Sequence, residues 1–166
     1  MTKARSVAFF GIFTALAIIA GYIERITPSP VPMIPGIKLG IANVIILMIL
    51  YTQGAKAALG INVARILASG ILFSGPSGVL YALAGGLLSF AAMLLGKKTG
   101  ALGVAGVSVL GGVFHNTGQI AVAAAVVWNM RLFYYLPVLI IAGIVTGVIT
   151  GLIAGYSLNP IRKLQI

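Results

Sequence analysis

The stretch LFYYLPVLIIAGIVTGVITGLIAGY, residues 132–156, has 25 residues and no charged side chain. A helix that crosses the hydrocarbon core of a bilayer needs about 20 consecutive, mostly apolar residues. This run is therefore typical of a transmembrane helix. Five further apolar stretches precede it, and the sequence predicts six spans, at about 6–24, 38–53, 55–73, 77–95, 101–127 and 132–156.

The composition of the whole chain agrees with a membrane protein. Of its 166 residues, 60% are hydrophobic and 7% are charged, and the mean hydropathy is +1.15. Soluble domains carry about 25% charged residues, so this chain lacks the polar surface that water requires. Six spans leave room only for loops and tails. We therefore predict an all-α integral membrane bundle in the cell membrane, a single transmembrane domain over residues 1–166.

The charges are one-sided, because 11 Lys and Arg residues accompany a single acid, Glu24. A basic excess often indicates nucleic-acid binding, but these residues are too few and too scattered to follow a phosphate backbone. One acid cannot supply the paired carboxylates of hydrolases or the acidic Mg²⁺ sites of diphosphate chemistry. Without cysteine, and with one histidine, the chain lacks a set of zinc ligands. We expect no enzyme activity, no metal, no cofactor and no nucleic-acid partner.

The distribution of the cations predicts the orientation in the membrane. Cytoplasmic loops of membrane proteins carry an excess of Lys and Arg. With a cytoplasmic N-terminus, seven cations fall on that side and three on the other, which predicts an N-in, C-in topology. The cytoplasmic set is Lys3, Arg5, Lys56, Lys97, Lys98, Arg162 and Lys163, and the outer set is Arg25, Lys38 and Arg131.

Arg65 is assigned to neither side of the membrane, because it lies about halfway along the third apolar stretch. A charge at that depth costs about 2.5–3.5 kcal/mol on insertion scales and so requires an explanation. Asn62 and Ser69 share its helix face. One hypothesis is a cationic cavity floor that binds an anionic or strongly polar solute. The other is a structural pair with Glu24 or with helix carbonyls, and both hold if the solute competes for Arg65.

Further polar residues lie at membrane depth in the second and fifth stretches. His115 and Gln119 are four residues apart and share a helix face, whereas Asn116 points about 100° away and is expected to bond a neighbouring helix. A lone histidine is more often a satisfied interior residue than a ligand, so His115 is a candidate for hydrogen bonding or proton transfer only. Lys38 is either a solute contact or an interfacial anchor. The candidate substrate-binding residues are Lys38, Asn43, Asn62, Arg65, His115 and Gln119.

Two other features concern access and assembly. Residues 26–37 contain four prolines and no charge; closely spaced proline stiffens the chain and blocks helix formation, which is consistent with either a lid or a connector along the membrane surface. Small residues at helical spacing allow membrane helices to pack closely. Most such stripes are expected inside the bundle, and the candidate partner interface is Gly11, Ala15 and Ala17 in the first span.

Three runs of this sequence resemble a known family. They are PGIKLGIANV at 35–44, GINVAR at 60–65 and GGVFHNTGQ at 111–119. Together they resemble the Gx transporter family, which is also labelled heptaprenyl diphosphate synthase component I. A six-span, N-in chain of this size also resembles the substrate-binding S component of energy-coupling factor transporters. The resemblance covers nearly the whole chain, and its most specific part is the run at 111–119.

The resemblance implies an S-component-like fold that binds a flavin-like or isoprenoid/quinone-related solute in an outward-opening cavity. It also implies that the first span docks on a membrane coupling subunit. The chain itself has no Gly-x-x-x-x-Gly-Lys-Ser/Thr motif, so ATP-driven transport would need separate ATPase subunits.

Three alternatives remain open. The chain could be a non-catalytic membrane accessory subunit of a prenyl diphosphate synthase or a redox enzyme. It could be a standalone proton-coupled carrier that uses His115 or Glu24 as the proton site. A small ion channel fits less well, because the polar residues form no repeated ring.

Overall fold

The computed structural model describes residues 3–27 and 40–163, and all regular secondary structure in these residues is helical. A π-helical turn, Gly70–Ser74, connects the third helix to the fourth, and a short 3-10 helix, Met130–Tyr135, precedes the last. Each of the six apolar stretches overlaps one α-helix. These are α1 (Lys3–Ile26), α2 (Ile41–Thr52), α3 (Ala55–Ser69), α4 (Gly75–Thr99), α5 (Val104–Val127) and α6 (Leu136–Lys163).

Four helical runs in the described residues are long and apolar enough to cross a membrane. The prediction of an all-α, multi-pass membrane protein is thus confirmed. The predicted count of six spans is not shown, for two reasons. The third and fourth stretches form one helical run, and α2 is apolar but has only 12 residues. That length gives about 18 Å of helix, against a hydrocarbon core of about 30 Å. The four runs are Lys3–Ile26, Ala55–Thr99, Val104–Val127 and Met130–Asn159.

The run Ala55–Thr99 is helical over 45 residues, yet it folds back on itself. Asn62 Nδ2 donates a hydrogen bond to the carbonyl oxygen of Gly86 at 3.1 Å, although the two residues are 24 positions apart. In a straight helix that separation would be about 36 Å. The reversal occurs at Gly75, whose φ of +69° is in the left-handed region that favours glycine. α3 and α4 therefore form an antiparallel helical hairpin.

α2 lies at the centre of the bundle, packed against α1, α3 and α6. Ile46, Leu47, Ile49 and Leu50 are each at most 1% exposed and form the middle of the main core cluster. No residue of α2 is exposed, so its neighbours cover the helix on all sides.

α5 and α6 approach each other more closely than side chains would allow. A Cβ on Gly147 would lie 2.6 Å from the Cα of Val109, and one on Gly151 would lie 2.6 Å from the Cα of Ala105. Such close approach is what small residues permit in membrane helices, where packing rather than the hydrophobic effect drives association. The small-residue stripe of α6 therefore faces α5.

Lys97, near the end of α4, ties that helix to the end of α2. Its Nζ donates a hydrogen bond to the carbonyl oxygen of Leu50 at 2.6 Å and lies 4.8 Å from the centroid of the Tyr51 ring. The last carbonyls of a helix have no partner within the helix, and a cation there also interacts with the negative end of the helix dipole. Lys97 thus supplies a partner that α2 cannot supply for itself.

Replacing Lys97 with methionine is expected to lower the free energy of unfolding by about 1.5–3 kcal/mol, the usual range for a hydrogen bond to a charged group. Thermal unfolding of the purified protein in one detergent measures the change. Lys98→Met is the matched control, because the Lys98 side chain is exposed. Equal losses in the two variants would show that the Leu50 contact contributes nothing specific.

Candidate functional site

A cavity of about 380 Å³ lies at the end of the bundle opposite Lys97. It is bounded by the end of α1, the start of α2, the second half of α3 with the π-helical turn, the first half of α4, and the facing parts of α5 and α6. Ligand pockets usually have volumes of about 300–1,000 Å³. The cavity therefore has room for a small solute.

Arg65 is half-buried in the wall of this cavity and is held by two side-chain amides. Its Nε donates to Asn62 Oδ1 at 3.0 Å, and its Nη2 donates to Asn43 Oδ1 at 3.2 Å. Asn62 is 2% exposed, and its own Nδ2 donates to the Gly86 carbonyl oxygen. That bond fixes which way the Asn62 amide points, so its oxygen must face Arg65.

Glu24 lies on the same cavity, near the end of α1, and its carboxylate accepts a hydrogen bond from the backbone N–H of Gly40. Gly40 directly precedes α2, so the carboxylate sits at the positive end of that helix dipole. The sequence left open a direct pair between Glu24 and Arg65. Among the described residues, Arg65 donates hydrogen bonds to two asparagine oxygens, and the Gly40 backbone is one partner of Glu24.

α5 contributes His115 and Gln119 to the cavity wall, on a face that packs against Gly85 of α4. A Cβ on Gly85 would lie 2.7 Å from Gln119 Cγ and 3.1 Å from His115 Cε1, so glycine there leaves room for both side chains. Asn116 donates from Nδ2 to the Leu139 carbonyl oxygen at 2.8 Å. The prediction that Asn116 bonds a neighbouring helix is therefore confirmed.

The mouth of the cavity is closed on one side by contacts between α1 and the π-helical turn. Arg25 Nη1 donates to Ser74 Oγ at 2.6 Å, and the rings of Tyr22 and Phe73 lie 5.0 Å apart. Sequence reasoning did not assign these residues, nor Tyr81, which also lines the cavity. The only local signal was the Ser-Gly-Pro turn that begins at Ser74, since an aromatic residue in an apolar chain gives no information about which neighbour it meets.

The structure brings most of the predicted site residues together. Asn43, Arg65, His115 and Gln119 line the cavity, whereas Asn62 is buried behind Arg65 and does not line it. Lys38 and the prolines of the 26–37 segment lie outside the described residues, so their roles stay predictions. Within residues 3–27 and 40–163, no three His, Asp or Glu side chains lie together as a metal site would require.

Two of the three residues of the predicted partner interface on α1 are exposed, and the third is buried. Gly11 and Ala15 are exposed, and a Cβ on Gly11 would meet no described atom within 4 Å. Ala17 is 1% exposed and belongs to the interior of the bundle. Only Gly11 and Ala15 therefore lie on a surface that a partner could reach.

Comparison with protein families matches residues 13–157 to the family described as heptaprenyl diphosphate synthase component I. No curated protein and no solved structure matches the chain. The match covers all of α2, α3, α4 and α5 and most of α1 and α6, and thus every described element that lines the cavity.

Proposed function

We propose, from the premise that this chain belongs to the heptaprenyl diphosphate synthase component I family, that it is the membrane-embedded substrate-binding subunit of an energy-coupling factor type transporter. The observation that carries this proposal is the cavity itself. It combines apolar walls with a few convergent polar groups, Arg65, Asn43, His115 and Gln119. That combination is the usual character of a small-molecule site.

The topology that goes with this function has six crossings of the cytoplasmic membrane, with both termini inside. The hairpin of α3 and α4 supports separate crossings for these two helices, since Asn62 meets Gly86 across it. α2 would begin within the membrane and complete a short crossing, as discontinuous helices do in many transporters. The cavity would then open to the outer face, and Lys97 would lie at the cytoplasmic face.

The solute that fits is small and polar or anionic, of the flavin-like or isoprenoid/quinone-related kind. Arg65 supplies a positive charge where water is scarce, and the amides and His115 supply hydrogen bonds that set orientation. The aromatic rings of Phe73 and Tyr81 supply flat apolar wall. A volume of about 380 Å³ favours a compact head group over a full seven-isoprene chain.

Transport would require partners. The chain has no P-loop motif, so ATP hydrolysis would belong to separate ATPase subunits and coupling to a further membrane subunit. The exposed small residues Gly11 and Ala15 of α1 offer the flat surface on which a membrane helix could pack closely.

A second candidate function follows from the family description. A "component I" implies a second component, so the chain could be a non-catalytic membrane accessory subunit of a prenyl diphosphate synthase. One acid in the chain cannot hold Mg²⁺ against a diphosphate, so catalysis would belong to the partner. Stable co-purification with a synthase, and no retained solute, would favour this candidate.

The test of the proposed function is the solute that the purified protein carries. Mass spectrometry of small molecules released from the wild-type protein in nanodiscs is expected to find one retained compound. Ala82→Phe places a ring in the cavity, because Ala82 lines it, and is expected to abolish retention. Ala91→Phe on the exposed face of the same helix is the matched control. Equal retention by Ala82→Phe and wild type would contradict the cavity as the site.

A further inference from the structure

Among residues 3–27 and 40–163, the hydrogen bonds of Arg65 use one edge of its guanidinium group. The group carries five N–H donors in a rigid planar fork. Nε and Nη2 lie along one side of that plane, and these are the atoms that donate to Asn62 and Asn43. The two asparagine oxygens therefore occupy the side edge together, much as the two oxygens of one carboxylate would.

No described residue accepts a hydrogen bond from the end edge of the guanidinium, so this edge is the one that could meet a solute. It consists of Nη1 and the second N–H of Nη2, which point in parallel and match the two oxygens of a carboxylate or a phosphoryl group. Arg65 lines the cavity, and the side edge already faces protein. The asparagine oxygens therefore fix the plane of the guanidinium, and with it the direction of the N–H groups on the end edge, before any solute binds.

The two asparagines are themselves fixed from behind. Asn62 is 2% exposed and is held by the Gly86 carbonyl oxygen of α4. Asn43 lies in the first turn of α2, whose start is held by Glu24 through the Gly40 backbone N–H. Three helices besides α3 therefore contribute to the orientation of one guanidinium group.

We propose that Arg65 binds an oxyanion of the solute, a carboxylate or a phosphoryl group, end-on through Nη1 and Nη2, and that Asn62 and Asn43 are positioning residues for this contact. The inference rests on the proposed function, since it names the chemical group by which the cavity recognises its solute. It assigns Asn62 a role without solute contact. It also distinguishes recognition by two parallel N–H donors from attraction by a positive charge alone.

Binding of three matched probes to the protein in nanodiscs tests the proposal: benzoate, phenyl phosphate and the uncharged isostere benzamide. Saturation-transfer NMR titration measures each affinity. We expect at least one of the two anions to bind about tenfold or more tightly than benzamide, as a charge-assisted bidentate contact implies. Whichever anion binds more tightly identifies the carboxylate or the phosphoryl group as the source.

Two variants separate the contribution of the parallel N–H donors of Arg65 from that of its positive charge. Arg65→Lys keeps the charge but loses the parallel donors, and is expected to weaken anion binding about tenfold. Asn62→Asp keeps the shape of the side chain but gives Arg65 an internal carboxylate partner, and is expected to weaken anion binding by a similar factor while thermal unfolding shows a folded bundle. Wild-type anion affinity in either variant would overturn the proposal.

The outcome is separable from that of the proposed function. If neither anion binds more tightly than benzamide, the oxyanion contact is wrong. Retention of a native solute by the wild-type protein, and its loss in Ala82→Phe, would still support a solute-binding subunit. If no native solute is retained but the anions bind through Arg65, the oxyanion contact stands and the transporter assignment loses its support.

Discussion

Replacing Gly112 with alanine is expected to lower the free energy of unfolding by about 3 kcal/mol, at the upper end of the cost of overpacking a well-packed interior. A Cβ on Gly112 would overlap the carbonyl oxygen of Gly143, and a Cβ on Gly143 would lie 2.8 Å from the carbonyl carbon of Gly112. Because both neighbours are backbone atoms, no side-chain rotation can relieve the overlap. α5 and α6 would have to separate along their whole contact.

Thermal unfolding in a single detergent measures this loss, and Gly155→Ala in α6 is the control. A Cβ on Gly155 would meet no described atom within 4 Å. There the substitution should raise stability by about 0.5–1 kcal/mol, the usual gain of alanine over glycine within a helix. If Gly112→Ala were as stable as Gly155→Ala, the close approach of α5 and α6 would be wrong.

Replacing Arg65 with methionine is expected to abolish solute retention and yet to change the free energy of unfolding by less than about 2 kcal/mol. Removing a charge at membrane depth recovers about 2.5–3.5 kcal/mol. The buried Asn62 oxygen then loses the N–H that it accepts from, which costs about 1–3 kcal/mol. The Asn43 oxygen on α2 also loses its donor, but Asn43 lines the cavity, where water can replace that donor. The gain and the losses therefore nearly cancel.

The same pair of measurements, retained solute by mass spectrometry and thermal unfolding, decides between the two roles of Arg65. Arg131→Met is the control, because Arg131 is an exposed cation in the segment before α6, and it should retain the solute. A loss of more than about 3 kcal/mol in Arg65→Met would instead indicate a structural arginine, since breaking a buried polar pair costs that much.

The positions of the helices could be predicted well from sequence. The cost of placing a residue in lipid depends mainly on its own side chain, so a sum along the chain identifies apolar helices. The exceptions are informative. α2 is shorter than a bilayer, and the third and fourth stretches form one continuous helical run that reverses at Gly75. Local hydropathy could not distinguish a reversal inside a helical run from a turn between two helices.

The candidate site was only partly predictable. The cost of a buried charge singled out Arg65, and helix spacing grouped it with Asn62. Spacing could not show that Asn62 faces α4 and bonds Gly86, or that Asn43 reaches Arg65 from another helix. Glu24 was recognised as the only acid, but its bond to the Gly40 backbone has no sequence signal, because a backbone N–H is the same at every residue.

The sequence by itself determined that this protein is a helical membrane protein, and which polar residues at membrane depth need a partner. Both follow from transfer free energies that each residue carries with it, whatever the fold. Only the tertiary structure decided which helices touch, that Arg65 turns its side edge to two asparagines, and that Arg65 lines a cavity. Those facts depend on the rotation and register of the helices. With 22 glycines in the chain, many pairs of helix faces carry small residues and could pack closely. The pairs that do pack are identified by backbone contacts such as that of Gly112 with Gly143, which only the structure shows.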